Sequence, residues 1–154
     1  MLYILSAHEC RQFLRALENL DTATRCGGNI LYHCGLRVGE LLGLTWSDLM
    51  QDGKVRDTFT IRAETSKSGR SRLVPIPSLL QAEIYRHLES SQTKAFGQIR
   101  LYWPVIPGTL DHAWSVRWFE LRLKVIGEKW LQRHLTPHML RHTFATRLLK
   151  IADI

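Results

Sequence analysis

Two arginines stand out by the residues around them. In "LTPHMLRHTFATRLL", residues 135–149, Arg141 follows His138 by three positions and directly precedes His142. In "YHCGLRVGELLGLTWSDL", residues 32–49, Arg37 follows Gly35 and precedes Glu40 by three. Residues three apart on a helix share a face, so each arginine has a polar companion beside it. Thr136 suits the cap of the first of these helices. Pro137 suits its first position, where a missing N–H would be unpaired anyway. Free backbone N–H groups at a helix start favour an anion, and a guanidinium fork with an imidazole beside them makes a phosphate cradle. A plainer account fits the same residues: His138 and His142 as structural histidines with Arg141 solvated, and Arg37–Glu40 as a surface ion pair of little value. Two helix starts that each deliver an arginine are more informative than one, because both can neutralise the same phosphate.

A third basic group lies between them. In "TSKSGRSRLVP", residues 65–75, Lys67, Arg70 and Arg72 crowd around a turn with no acid among them. Such a tip can straddle a phosphate backbone, and a lysine on it can reach a reacting oxygen as a proton donor. A solvated loop is the alternative. The chain as a whole carries a net +7, unevenly spread. Residues 1–53 hold four Arg against six Asp or Glu, a net −2, whereas 54–154 hold 17 basic against eight acidic residues, a net +9. A basic surface concentrated in two thirds of the chain suggests a polyanion, nucleic acid first.

The elements that must position these residues are mostly helical. Ser6, with Glu9 three positions on, reads as a capping box opening a helix to Leu20, with Cys10, Phe13, Leu14 and Leu17 on its apolar face. A second helix runs from Thr22 to His33 and halts at Gly35. A third begins near Leu36, turns Leu41, Leu42 and Leu44 to a core, and ends around "TWSDL". After the Asp52-Gly53 turn, "KVRDTFTIRAETS" alternates as a strand, with "RSRLVPIP" as its partner and Pro75 and Pro77 marking an edge. Ser78 is expected to cap a helix to about Ser90. Residues 93–110 show turns and little else. A helix over 113–126 and the terminal helix from Pro137 follow, the latter offering Leu140, Phe144 and Leu148 to the core. The expected fold class is α+β, mostly helical, with a small antiparallel sheet on one side.

At 154 residues the chain is read as a single domain, 1–154. No apolar run approaches the roughly 20 residues that span a bilayer, and the start lacks the pattern of a signal peptide. Cytoplasm is the expected location, with no membrane partner. Cys10, Cys26 and Cys34 lack metal-ligand spacing and read as reduced thiols.

The order of Arg-x-x-Glu in "GLRVGELLGL", a lysine hairpin ending "LVPIP", and "HMLRHTFAT" resembles the tyrosine recombinases, or phage integrases. The resemblance covers nearly the whole chain and corresponds to their catalytic domain. The two arginine boxes, roughly 100 residues apart with a basic hairpin between them, carry it. The resemblance implies an enzyme of DNA integration or excision, of the kind carried by mobile genetic elements, acting on double-stranded DNA without metal or other cofactor. A tyrosine attacks the scissile phosphate, leaving a 3′-phosphotyrosyl link and a free 5′-hydroxyl. Arg37 and Arg141 would clamp the non-bridging oxygens, and Lys67 would be the general acid. His138 would assist proton transfer or bond to the phosphate, Glu40 would orient the site, and His142 would pack behind it. Arg70 and Arg72 would bind DNA.

The family's pattern also places a tyrosine beyond the arginine-histidine box. Tyr3, Tyr32, Tyr85 and Tyr102 all precede His138, so none matches the nucleophile. The expectation is a catalytic domain without its N-terminal core-binding domain and its tyrosine segment, inactive alone and monomeric in solution. The complete protein would assemble as a multimer on DNA, associated with the nucleoid. The other reading is a non-catalytic DNA-binding module or an integrase remnant.

Overall fold

The structure, a computed structural model, describes residues 3–64, 67–108 and 113–152. The Ser6 hydroxyl accepts from the Glu9 N–H (3.1 Å) while the Glu9 carboxylate accepts from the Ser6 N–H (3.2 Å). This is the reciprocal box expected from sequence, and α1 (Ala7–Leu17) follows it, burying Cys10, Phe13 and Leu17. Asp21 then caps α2 (Thr22–Cys34), accepting from the Thr24 N–H at 3.0 Å. Ten of the thirteen α2 residues are buried, so this helix is enclosed on all sides. It packs against α1 and against three later helices. Gly27 and Gly28 permit that closeness: a Cβ on either would meet Phe119 at 2.8 Å or Leu17 at 2.6 Å.

The helix expected from Leu36 through "TWSDL" is two, α3 (Val38–Leu42) and α4 (Trp46–Leu49). The break has a local cause. Asp48 accepts from the Thr45 N–H at 2.8 Å, so Thr45 starts a new helix rather than continuing the old one. Tertiary pairing holds the gap open: the Val105 N–H donates to the Leu44 carbonyl (2.9 Å) and the Trp46 N–H to the Trp103 carbonyl (3.1 Å). The same bonds give order to part of the 93–110 stretch that sequence left without a pattern.

The antiparallel structure is divided into two ladders. Strands β1 (Met50–Gln51) and β2 (Lys54–Val55) pair across the Asp52-Gly53 turn, and β3 (Thr58–Ile61) pairs with β4 (Arg72–Pro75). In the second ladder Ile61 faces Arg72 and Thr58 faces Pro75. The single strand expected from Lys54 onward is interrupted at Arg56 and Asp57, whose backbones bond to Leu49 and Ile76. Thr65 and Ser66, which the alternation carried into that strand, lie outside the described residues.

Helix α5 (Ser78–Lys94) outruns the expected end at Ser90, and Pro77 rather than Ser78 occupies its cap position. Its His87 is buried. Nε2 donates to the Val105 carbonyl (2.5 Å) and Nδ1 accepts from the Thr22 hydroxyl (3.1 Å). Ser115 caps α6 (Val116–Ile126), which runs into an unexpected π-helical turn, Gly127–Leu131, before α7 (Pro137–Ala152). Leu140 is fully buried and Phe144 lies against Gly35, but Leu148, expected in the core, is 54% exposed. All three cysteines are buried free thiols. No helix among the described residues is long and apolar enough to cross a membrane.

Candidate phosphate-binding site

Gly35 closes α2 in the left-handed conformation, φ +66°, a region that glycine enters without steric cost. The reversal delivers Arg37 as the residue capping α3. From the other end of the sequence, Thr136 accepts from the Met139 N–H at 3.2 Å, the cap expected of it, and starts α7 with His138 and Arg141 in its first turns. Arg141 Nη1 donates to the carbonyl of Gly35 at 2.7 Å. One glycine therefore turns the chain toward Arg37 and tethers Arg141.

Between the two arginines lies Glu40, 1% exposed. Arg37 Nη1 is 3.9 Å from its Oε2, and Arg141 Nη1 is 3.9 Å from its Oε1. Because both contacts reach opposite oxygens of one carboxylate, the two guanidinium nitrogens lie within about 10 Å of each other. The convergence expected from sequence is present. The pairing expected for Glu40 is not the principal one. Its side chain accepts from the Arg37 backbone N–H (2.9 Å), but the guanidinium that grips it belongs to Arg72, at 2.6 and 2.8 Å. Arg72, expected on the DNA side of the hairpin, instead turns its fork inward on Glu40. Arg70 stays exposed at the tip.

The electrostatics follow from this packing. Burial pushes the Glu40 carboxyl upward. The Arg72 fork, the Arg37 N–H and the charges of Arg72 and Arg141 outweigh that and hold it below its ordinary value. Arg141 is pressed down by burial first and by the charge of Arg37 next, with Glu40 opposing. It stays a cation, and an anion placed beside it would relieve the repulsion.

A cavity of about 700 Å³ opens on this group, lined by Arg37, Lys67, His138 and Arg141 together. All four residues expected to act on a phosphate therefore face one space. The sequence reading missed its far wall, where α6 contributes Arg117 and Lys124, with Glu120 the one carboxylate among the lining residues, and where His134 also lies. Positions 117, 120, 121 and 124 fall at helical spacing, so a charge-bearing face of α6 was the available signal. His142 does not line the cavity. It is exposed, and its Nε2 lies 2.8 Å from Nε2 of His138, ring edge to ring face at 88°. One of those nitrogens donates and the other accepts, so His142 orients the imidazole that lines the cavity. None of the four tyrosines lines it. Tyr85 accepts from the Val55 N–H (2.9 Å), and Tyr32 stacks under Arg147 (4.0 Å). Tyr3 and Tyr102 are exposed.

Comparison with known proteins places the chain in a family. Among curated proteins, the tyrosine recombinase XerD of Shewanella oneidensis is 32% identical over 142 residues, covering 88% of this chain and 45% of the relative. The chain thus spans less than half the length of that relative. The crystal structure of the XerA recombinase superposes with a TM-score of 0.78 at 26% identity, over 97% of this chain and 51% of that one. XerH bound to a palindromic difH substrate shares the fold, with a TM-score of 0.79 at 18% identity over 99% of this chain and 43% of that one. The profile of the phage integrase family matches residues 4–152, and the chain belongs to that family, the tyrosine recombinases.

Proposed function

We propose that these residues form the phosphate-activating part of a site-specific DNA recombinase. It breaks and rejoins double-stranded DNA through a 3′-phosphotyrosyl intermediate when the protein is complete. The observation that carries this reading is the meeting of Arg37 and Arg141 at one carboxylate, in a cavity shared with Lys67 and His138. In the attack, a new P–O bond forms to the tyrosine oxygen as the bond to the 5′-oxygen breaks. Negative charge grows on the non-bridging oxygens, where fixed guanidinium donors stabilise it. Lys67 gives a proton to the departing 5′-oxygen. His138, oriented by His142, hydrogen-bonds to the phosphate or takes the proton of the nucleophile. Arg70 contacts the DNA backbone from the hairpin tip. Residues 1–154 act as one catalytic-type domain, working on DNA in the cytoplasm. The complete protein assembles as a multimer on DNA, and this chain alone is a monomer.

The same cavity has no tyrosine on its walls. This supports the further reading that the 154 residues alone bind a DNA phosphate without attacking it. Duplex DNA should bind with strong salt dependence, and Arg37→Gln and Arg141→Gln should each weaken it. A nicked suicide substrate should give no covalent adduct. Unchanged binding in both variants would refute the cradle, and an adduct would refute the absence of a nucleophile.

A further inference from the structure

We infer that Arg72 is a positioning residue: by occupying the carboxylate of Glu40, it keeps Arg37 and Arg141 available to the phosphate. This rests on the phosphate-binding reading and replaces the DNA contact expected of Arg72.

An ionised carboxylate has about four acceptor positions. On Glu40 three are filled, two by the Arg72 fork at 2.6 and 2.8 Å and one by the Arg37 N–H at 2.9 Å. The side chains of Arg37 and Arg141 stay at 3.9 Å, outside hydrogen-bond range. They are near enough to feel the charge and are not consumed by it. A bidentate guanidinium–carboxylate pair is among the strongest charged contacts, and a carboxylate buried without a partner is strongly unfavourable. Without the fork, the nearest cations are the two arginines that line the cavity. Each would need to move only about 1 Å to hydrogen-bond with Glu40, and each would leave the anion side to do so. Arg72 is suited to the task by its address. It faces Ile61 at the start of β4, five residues after Lys67, so the same fork ties the hairpin that carries Lys67 to the helix that carries Arg37.

The test compares wild type, Arg72→Gln, Arg72→Lys and the neutral pair Glu40→Gln/Arg72→Gln. Inorganic phosphate is titrated while the guanidinium N–H signals of Arg37 and Arg141 are followed by NMR, and thermal melting checks that each variant is folded. Arg72→Gln should weaken phosphate about 10-fold. Arg72→Lys, which keeps the charge and loses the fork, should fall between it and wild type. The double variant should return to within about 2-fold of wild type, because the demand for a partner is gone. A double variant as weak as Arg72→Gln would mean that Arg72 touches the anion itself. Arg72→Lys equal to wild type would mean that charge alone matters. Either result overturns the inference, as does an unchanged Arg72→Gln. If Arg72→Gln does not fold, Arg72→Lys and the double variant decide. Wild-type protein that ignores phosphate would refute the cradle instead. The inference then stands or falls on the phosphate-free spectra, where Arg72→Gln must shift and slow the guanidinium signals of Arg37 and Arg141.

Discussion

Gly35→Ala is the smallest change that tests the architecture of the site. Two costs can be read from the structure. An alanine held at φ +66° pays the left-handed penalty, about 1–2 kcal/mol. Its methyl would also sit 2.1 Å from Cδ1 of Phe144 and 2.7 Å from Cγ, so the ring must move. Overpacking of this kind costs about 1–3 kcal/mol. Together these predict a destabilisation of about 2–5 kcal/mol, a large part of the ~5–15 kcal/mol that holds a typical domain folded. For a chain of this size that corresponds to a fall in Tm of roughly 5–15 °C. Urea denaturation of wild type, Gly35→Ala, Phe144→Ala and the double variant measures both parts. With the ring removed, the cost of the alanine should shrink to the backbone penalty, about 1–2 kcal/mol. Phosphate affinity should fall in Gly35→Ala as well, because Phe144 is on the helix of Arg141 and the Gly35 carbonyl holds that arginine. A loss below about 1 kcal/mol, or an equal loss with and without Phe144, would refute the reasoning.

Arg141→Gln should lower the slope of log K against log salt for duplex binding by about 0.9, the value of one phosphate contact, and Arg70→Gln should lower it similarly. Glu40 has a folded pKa below its ordinary 4.5, so its stabilisation is complete above that value and is lost as pH falls through the folded one. Urea midpoints should therefore drop on acidification below pH 4.5 more steeply in wild type than in Glu40→Gln, and parallel curves would exclude the coupling. His87 is shifted down by burial against its bond to Val105. Its stabilisation is lost as pH falls below the ordinary 6.5, and His87→Gln should flatten stability over that window. Burial pushes the Cys34 thiol up to about 12 and Cys26 higher still, so neither should react with a disulfide reagent at pH 8 until the chain is unfolded.

What could be read from sequence was what neighbouring residues decide. The caps at Ser6 and Thr136 depend on partners three positions away, and Arg141 followed from a helix start recognised in this manner. The break at Thr45 was readable by the same rule, since Thr-x-x-Asp is a cap signal, but the run of apolar residues masked it. The Arg72–Glu40 fork was not readable. Its residues are 32 apart, and only the hairpin register brings them together, whereas spacing alone nominated Arg37. Leu148 shows the complementary limit. Periodicity places it on the face of Leu140 and Phe144, but periodicity does not say whether anything lies opposite. The contact of His142 with His138, by contrast, was open to a local reading, since residues four apart on a helix are neighbours.

The regional charge that first suggested a polyanion does not by itself build the site. Arg37 comes from the segment with a net −2, and its neighbour Glu40 is an acid buried among cations. What matters is how each cation is held before any anion arrives. Arg141 is tied to the Gly35 carbonyl, the Arg37 backbone to Glu40, and Arg72 to the same carboxylate. These bonds offset during folding the repulsion of three gathered guanidinium groups. On the proposed reading the Arg141 donor therefore needs little rearrangement when charge develops on a phosphate, which is the condition under which electrostatic stabilisation lowers a barrier. A cradle made only of solvated arginines would meet the same phosphate with the same total charge and stabilise its transition state far less.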